Sequence, residues 1–341
     1  MKVMAITQVS SLREDNRPLT ELDLPVPEPG EKEILLSVSA CGVCHTEIDE
    51  IEGRTPPAFF PMVPGHEIVG RVVKTGPKAE RFSIGDRVGV AWIARACGKC
   101  PACLRGEENL CPDFAGTGRD VFGGYAEFAK VAEDFAYPIP DVFTDSQAAP
   151  LLCAGAIGFR SLRLAGDLSG ARLGLTGFGA SAHLVLKMVQ GSLPHASVYV
   201  FARSAKEREF ALSLGACWAG ETEEPAPEKL SAIIDTTPAW KPVLFALRNL
   251  APGGRLVINA IRKQGDDRLA LSELDYPRDL WMEKEIKSVA NVTRMDVSGF
   301  LDLAARIPIL PTVTEYTLSR ANEAVCDLYS GHVRGAKVLI P

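Results

Sequence analysis

From Gly170 to about residue 291 the chain alternates short apolar runs with stretches of helical period. RLGLTG, VYVFAR, SAIIDTT and RLVINA read as buried strands, and SAHLVLKMVQ, SAKEREFALSLG and PVLFALRNL as the helices between them. Parallel strands need long crossovers, and the crossovers cover both faces, so this alternation predicts a doubly wound parallel sheet flanked by helices. Its first strand-to-helix joint is Gly177-Phe178-Gly179-Ala180-Ser181-Ala182. Glycines there permit a tight turn and let a pyrophosphate approach the amides that open the helix; Ala182 replaces the third glycine of the usual pattern. The next strand ends in Ala202-Arg203-Ser204, with Lys206 shortly after. A site for NAD(H) places a carboxylate at this point to hold both ribose hydroxyls. A guanidinium and a hydroxyl suit a 2′-phosphate instead, so the expectation is NADP(H) over NAD(H).

The 341 residues suggest about two domains. The first half reads as short β-branched strands (KVMAITQV, EILLSVSA, EIVGRVV, DRVGVAW) separated by Pro- and Gly-rich loops. Near residue 146 the pattern turns helical, with Ser146 placed to cap one helix through LLCAGAIGFRSLRLAG. From about 293 it runs helix, strand, helix, strand to GAKVLIP. With 37 Lys+Arg interspersed among 43 Asp+Glu, the chain lacks the basic run of a nucleic-acid or anionic-membrane binder. Its longest uncharged stretch, Ala148 to Phe159, is too short to span a bilayer. The N-terminal MKVMAITQVSSLRED does not read as a signal peptide. Nine cysteines without an export signal point to a reducing compartment, hence the cytoplasm.

Four of those cysteines crowd together as Cys97-x2-Cys100-x2-Cys103-x7-Cys111. This spacing usually holds tetrahedral zinc with four sulfurs, and it leaves no open position, so such a site would be structural. A dispersed set is weaker by spacing: Cys44 in CGVCHTE, His66 in PGHE and Cys153 in LLCAG, each flanked by small residues. Two thiolates and an imidazole would neutralise Zn²⁺ and leave a fourth position open, but each of the three also reads as an ordinary buried side chain.

The motifs GVCHTE, PGHE, the four-cysteine lobe, GGYAE, LLCAG and GFGAS occur in one order and together resemble the zinc-dependent medium-chain alcohol dehydrogenases. The resemblance covers essentially the whole chain. It implies a Rossmann-type doubly wound sheet inserted into a β-rich, GroES-like catalytic domain. The corresponding segments would be 1–153 (with the structural zinc lobe at 95–113), 154–291 for the dinucleotide and 292–341 returning to the catalytic domain. It implies Cys44, His66 and Cys153 as catalytic zinc ligands, with Glu67 near enough to approach the metal. It places Glu47 as the acceptor that orients His66, and Thr46 as the hydroxyl that relays the substrate proton. Many members carry a histidine five residues after the cysteine; Asp49 stands there, either as the outer base or as a solvated helix residue. By the same resemblance His45, Thr236, Asn259-Ala260-Ile261, Val289-Ala290-Asn291 and Arg294 face the cofactor, Ile157 lies near the nicotinamide, and Trp92 and Phe122 wall the pocket. His183, His195 and His332 have no partner motif and read as structural or surface residues.

The expected activity is interconversion of alcohols with aldehydes or ketones by hydride transfer to or from a nicotinamide. The expected complement is two Zn²⁺ per chain, one catalytic and one structural. The partners are a small alcohol or aldehyde and further copies of the chain, as a dimer or tetramer, with no nucleic acid and no membrane. The rival readings are a zinc-free quinone reductase of the same superfamily and a non-catalytic, zinc-stabilised binding protein.

Overall fold

A computed structural model describes residues 1–307, 309–331 and 335–341, so His332 lies outside the described residues. The chain divides into two compact units, Met1–Cys153 with Thr293–Pro341, and Ala154–Val292.

The first unit begins with β1 (Lys2–Ile6) and β2 (Leu19–Asp23), an antiparallel pair. The long β3 (Glu33–Val43) follows and runs directly into a short helix, α1 (His45–Ile51). β4 (Ile68–Thr75) and β5 (Arg87–Val90) come next, then β6 (Ile93–Arg95) and α2 (Pro101–Leu104). The segment closes with β7 (Ala115–Gly116), β8 (Phe128–Ala132), β9 (Ala136–Pro138) and α3 (Asp145–Ala148). The apolar face of these strands packs into one core that includes Ile6, Ile34, Leu36, Ile68, Val90 and Tyr125.

The second unit opens with α4 (Ala154–Ala165) and then alternates β10 (Arg172–Thr176), α5 (Ala180–Ser192), β11 (Ser197–Phe201), α6 (Ala205–Ser213) and β12 (Trp218–Gly220). It continues through β13 (Leu230–Asp235), α7 (Lys241–Asn249), β14 (Leu250–Ile258) and β15 (Glu285–Ser288). All strand pairs are parallel, in the order β12-β11-β10-β13-β14-β15. The order reverses direction at β10, the first strand of the sheet, which is where doubly wound sheets bind ligands. The central strands are buried along nearly their whole length, as a sheet covered on both faces requires.

The chain then returns to the first unit with α8 (Arg294–Arg306), β16 (Val313–Thr317), α9 (Ala321–Ser330) and β17 (Ala336–Ile340). Strand β17 pairs antiparallel with β3 and completes a seven-stranded sheet in the order β16-β17-β3-β4-β5-β9, with β8 on β3.

One expected element differs. The helix read from Ser146 onward is three pieces: α3, a 3₁₀ turn at Ala149–Leu152, and α4. Pro150 cannot donate to a helical ladder, and Cys153 adopts φ −118°, ψ −75°, away from helical geometry. The cap is Thr144, whose hydroxyl accepts from Gln147 N while the Gln147 side chain accepts from Thr144 N. Ser146 instead donates to Glu315. The whole stretch Asp145–Ala165 is long and apolar enough to cross a membrane by length and composition. More than half of its apolar window is buried inside the fold, as for a core segment.

Candidate metal centres and dinucleotide turn

The β3–β4 pairing brings the dispersed residues together. Cys44 follows the last residue of β3, His66 and Glu67 immediately precede β4, and the ladder places Cys41 opposite Ile68. Gly42 N donates to Glu67 O at 2.9 Å. A Cβ at Gly42 would stand 1.8 Å from Glu67 Oε2, so only glycine admits that carboxylate. Cys153 is delivered by the break between the 3₁₀ turn and α4, the same non-helical residue that interrupts the expected helix.

The ligand atoms of Cys44, His66, Glu67 and Cys153 all lie within 4.8 Å of one another. The two sulfurs are 3.8 Å apart. Glu47 uses both oxygens locally: Oε1 lies 2.6 Å from His66 Nδ1, and Oε2 accepts from Cys44 N at 2.7 Å. His66 is fully buried, and its Nε2 has no hydrogen-bond partner among the described residues. A buried imidazole nitrogen left empty beside two thiols and a carboxylate fits a divalent ion with nitrogen and sulfur preference. Burial, and next to it the Cys44 sulfur, pushes the Glu67 carboxyl well above the usual carboxylate range. A cation at this point would relieve that cost.

Thr46 Oγ1 lies 3.6 Å from Cys44 Sγ. Asp49 is buried and its Oδ1 accepts from Arg54 Nε, so it is neither solvated nor without a partner. Arg54 also pairs with Glu52. Trp92 is buried, Phe122 is more exposed, and His45 is exposed.

In the lobe, the sulfurs of Cys97, Cys100, Cys103 and Cys111 also lie within 4.8 Å of one another. Backbone amides point at them: Cys100 N to Cys97 Sγ at 3.3 Å, Cys103 N to Cys100 Sγ at 3.5 Å and Cys97 N to Cys111 Sγ at 3.4 Å. The amides of Lys99 and Cys100 bring the Cys97 thiol down to about 6, while burial and the neighbouring sulfurs push Cys103 up to about 12. Four sulfurs so close cannot all carry charge unaided; a dication with four sulfur ligands fits them.

In the second unit Gly177 takes φ +78°, and Gly179 caps α5. Phe178 is buried against Phe210, Ala180 opens α5, and Ser181 Oγ donates to Ala154 O at 3.1 Å. The Thr236 hydroxyl donates to Thr176 O at 3.0 Å and borders Gly177. Ala202 is buried, whereas Arg203, Ser204 and Lys206 are exposed at the start of α6. Arg208, a residue that sequence reasoning missed, donates from Nη1 to Ala202 O at 2.8 Å and Arg203 O at 2.9 Å. It brings a second guanidinium to the end of β11. Asn259 N donates to Asp235 O at 2.7 Å, and its buried Nδ2 has no partner among the described residues. Ala260 follows it, Ile261 is exposed, and Val289 N donates to Ile258 O at 2.9 Å. Ala290 is exposed, and Asn291 adopts φ +59° with its own Oδ1 accepting from Val292 N.

Arg294, expected at the cofactor, lies in the first unit. Its Nε donates to Glu108 Oε1 at 3.1 Å, and it stacks over Phe135. That guanidinium is committed to a buried carboxylate. His183 bonds to its own helix through Gly179 O, and His195 is exposed.

A β-rich unit with two thiol-based ion sites, and a separate parallel sheet entered through a glycine turn, define a zinc-type dehydrogenase. Comparison with known proteins agrees. The family described as "Alcohol dehydrogenase GroES-like domain" matches residues 30–141. The chain is 42% identical to "Probable alcohol dehydrogenase AdhA" of Mycobacterium tuberculosis (strain CDC 1551 / Oshkosh), over 96% of this chain and 94% of that protein. It is 31% identical to an alcohol dehydrogenase of Geobacillus stearothermophilus, over 94% of each. Among solved structures, a cinnamyl alcohol dehydrogenase from Sorghum bicolor superposes with a TM-score of 0.83 at 26% identity, covering 99% of this chain and 97% of that one. The chain belongs to the zinc-type medium-chain alcohol dehydrogenase family, and its activity is that of an NAD(P)-dependent alcohol/aldehyde oxidoreductase.

Proposed function

We propose that the first unit is the catalytic domain and the second the dinucleotide-binding domain. On this reading the chain holds two Zn²⁺, one at Cys44, His66 and Cys153 with Glu67 beside it, and one in the four-cysteine lobe. The observation that carries it is the empty Nε2 of fully buried His66, whose Nδ1 is already taken by Glu47. Zinc at that centre supplies Lewis acidity toward the substrate oxygen, and the nicotinamide supplies or accepts hydride.

The chain's own residues do the rest. Glu47 fixes the His66 tautomer and ring orientation. Thr46 Oγ1 takes the substrate hydroxyl proton during oxidation and returns it during reduction. Asp49 is the outer base, held in place by Arg54. The amides that open α5 hold the pyrophosphate, and the Thr236 and Asn259 side chains complete the cofactor cradle. Arg203, with Arg208 beside it, favours NADP(H) over NAD(H), because Ala202 stands where an NAD(H) site places its ribose-binding carboxylate. The substrate is a small alcohol or aldehyde. Nine cysteines free of disulfides support a reducing compartment, and the reading is of a cytoplasmic enzyme acting as a dimer or tetramer.

The test is a screen of primary and secondary alcohols and their aldehydes with each nicotinamide cofactor, following absorbance of the reduced form. Turnover with at least one alcohol, faster with NADP⁺ at limiting cofactor, is the expected result. Zinc-loaded protein inert toward every alcohol and aldehyde would remove this reading.

A further inference from the structure

Besides His66 Nε2, the polar atoms of the first unit that are buried with no hydrogen-bond partner among the described residues include both carboxyl oxygens of Glu50, Thr55 Oγ1 and Trp92 Nε1. Buried polar groups are nearly always bonded, so these orphans call for missing partners. Glu50 is fully buried on α1, three residues after Glu47 and therefore on the same helix face. The charges that act on it are those of Glu47, His66, Cys44 and Arg119. The other two orphans lie on segments tied to α1 and to Arg119. Thr55 N donates to Asp49 O at 3.1 Å, at the end of α1. Arg119 lies 5.2 Å from the Trp92 ring centroid, and its carbonyl accepts from Ala58 N at 2.9 Å, three residues past Thr55. Arg119 thus links the three: its guanidinium lies over Trp92 and its charge acts on Glu50, while its backbone carbonyl holds the segment that carries Thr55. Trp92 was expected as a pocket wall; its indole N–H is buried and has no partner among the described residues.

We infer that Glu50, Thr55 and Trp92 form a polar subsite next to the Cys44–His66 centre that binds a second hydroxyl of the substrate, so that the enzyme prefers diols and hydroxyaldehydes to plain alkyl alcohols. Burial, and then Glu47, pushes the Glu50 carboxyl well above the usual carboxylate range. That disfavours a fixed negative charge and an amine ligand, and suits a neutral hydroxyl that both donates and accepts. A site built to bond a substrate hydroxyl rejects the analogue lacking it, because its own groups are then left unpaired. The inference rests on the proposed alcohol dehydrogenase activity at this centre.

The experiment compares kcat/KM for 1-propanol through 1-hexanol with 1,3-propanediol through 1,6-hexanediol, matched by chain length. At one length or more, the diol should exceed its mono-alcohol by about 10-fold or more. In Glu50→Met, similar in size but apolar, that ratio should fall at least about 10-fold, whereas Glu50→Gln should keep most of it. If Glu50→Met does not fold, Trp92→Phe, which removes the N–H and keeps a ring, must lower the ratio. A merely structural role, with water satisfying these groups, would move both series together and leave the ratio unchanged; that overturns the inference. So does a wild-type enzyme with no diol advantage at any length. Absence of turnover with every alcohol would instead remove the underlying activity.

Discussion

In the proposed proton path Thr46 is the inner relay and Asp49 the outer base. Thr46 Oγ1 is 3.6 Å from Cys44 Sγ, so Thr46→Val keeps the shape and deletes the relay. The expected loss is roughly 10²–10⁴-fold in kcat, the usual worth of a positioned acid–base group, with zinc content unchanged. Asp49→Asn should cost less, and raising the pH should restore much of the lost oxidation rate, since hydroxide then supplies the missing base. A pH–rate profile identical to wild type would assign Asp49 to its ion pair with Arg54 alone. The GVCHTE motif made Cys44, Thr46 and Glu47 legible at this scale. Glu50 was not, because one glutamate in the run DEIEG reads as a helix-surface charge until its burial is known. Arg208 escaped for a related reason: the motif ends at Lys206, and only the helical turn carries the guanidinium back to the strand end.

Among the elements, the joint from β11 to α6 is where the proposed cofactor preference is tested. Arg203→Ala should raise KM for NADPH far more than for NADH, and adding Arg208→Ala should widen the gap. Equal effects on both cofactors would make Arg203 a surface residue only. The strands and helices around this joint were legible because their periods are clean. β12 and β15 were not read: β12 is three residues long, and all four residues of β15 are exposed, so neither shows buried alternation. The break at Cys153 also hid in the sequence. Pro150 signals a turn before it, but the Ala, Leu and Ile around Cys153 suit a continuous helix, and the interruption at Cys153 sets a thiol beside Cys44.

At the scale of the whole molecule the two proposed ion sites should differ in lability. The lobe offers four sulfurs, whereas the Cys44 centre offers two sulfurs and an imidazole with Glu67 beside them, and on the proposed reading keeps a position for substrate. Metal analysis should find two zinc ions per chain, and mild chelation should abolish activity before circular dichroism reports any loss of fold. One tightly held zinc in fully active protein would contradict this.

Strand β3 has consequences for how the chain is made. Its partner β17 emerges from the ribosome only after the entire second unit, and Leu19 waits for Asn322, a bond spanning 303 residues. The second unit is one continuous segment and has every strand of its sheet in hand long before that. During synthesis the later-born middle therefore matures first, and the older N-terminal segment stays incomplete, with the edge of β3 that awaits β17 exposed. A nascent chain stalled after residue 292 should resist protease over 154–292 while its first 150 or so residues remain the part that chaperones hold.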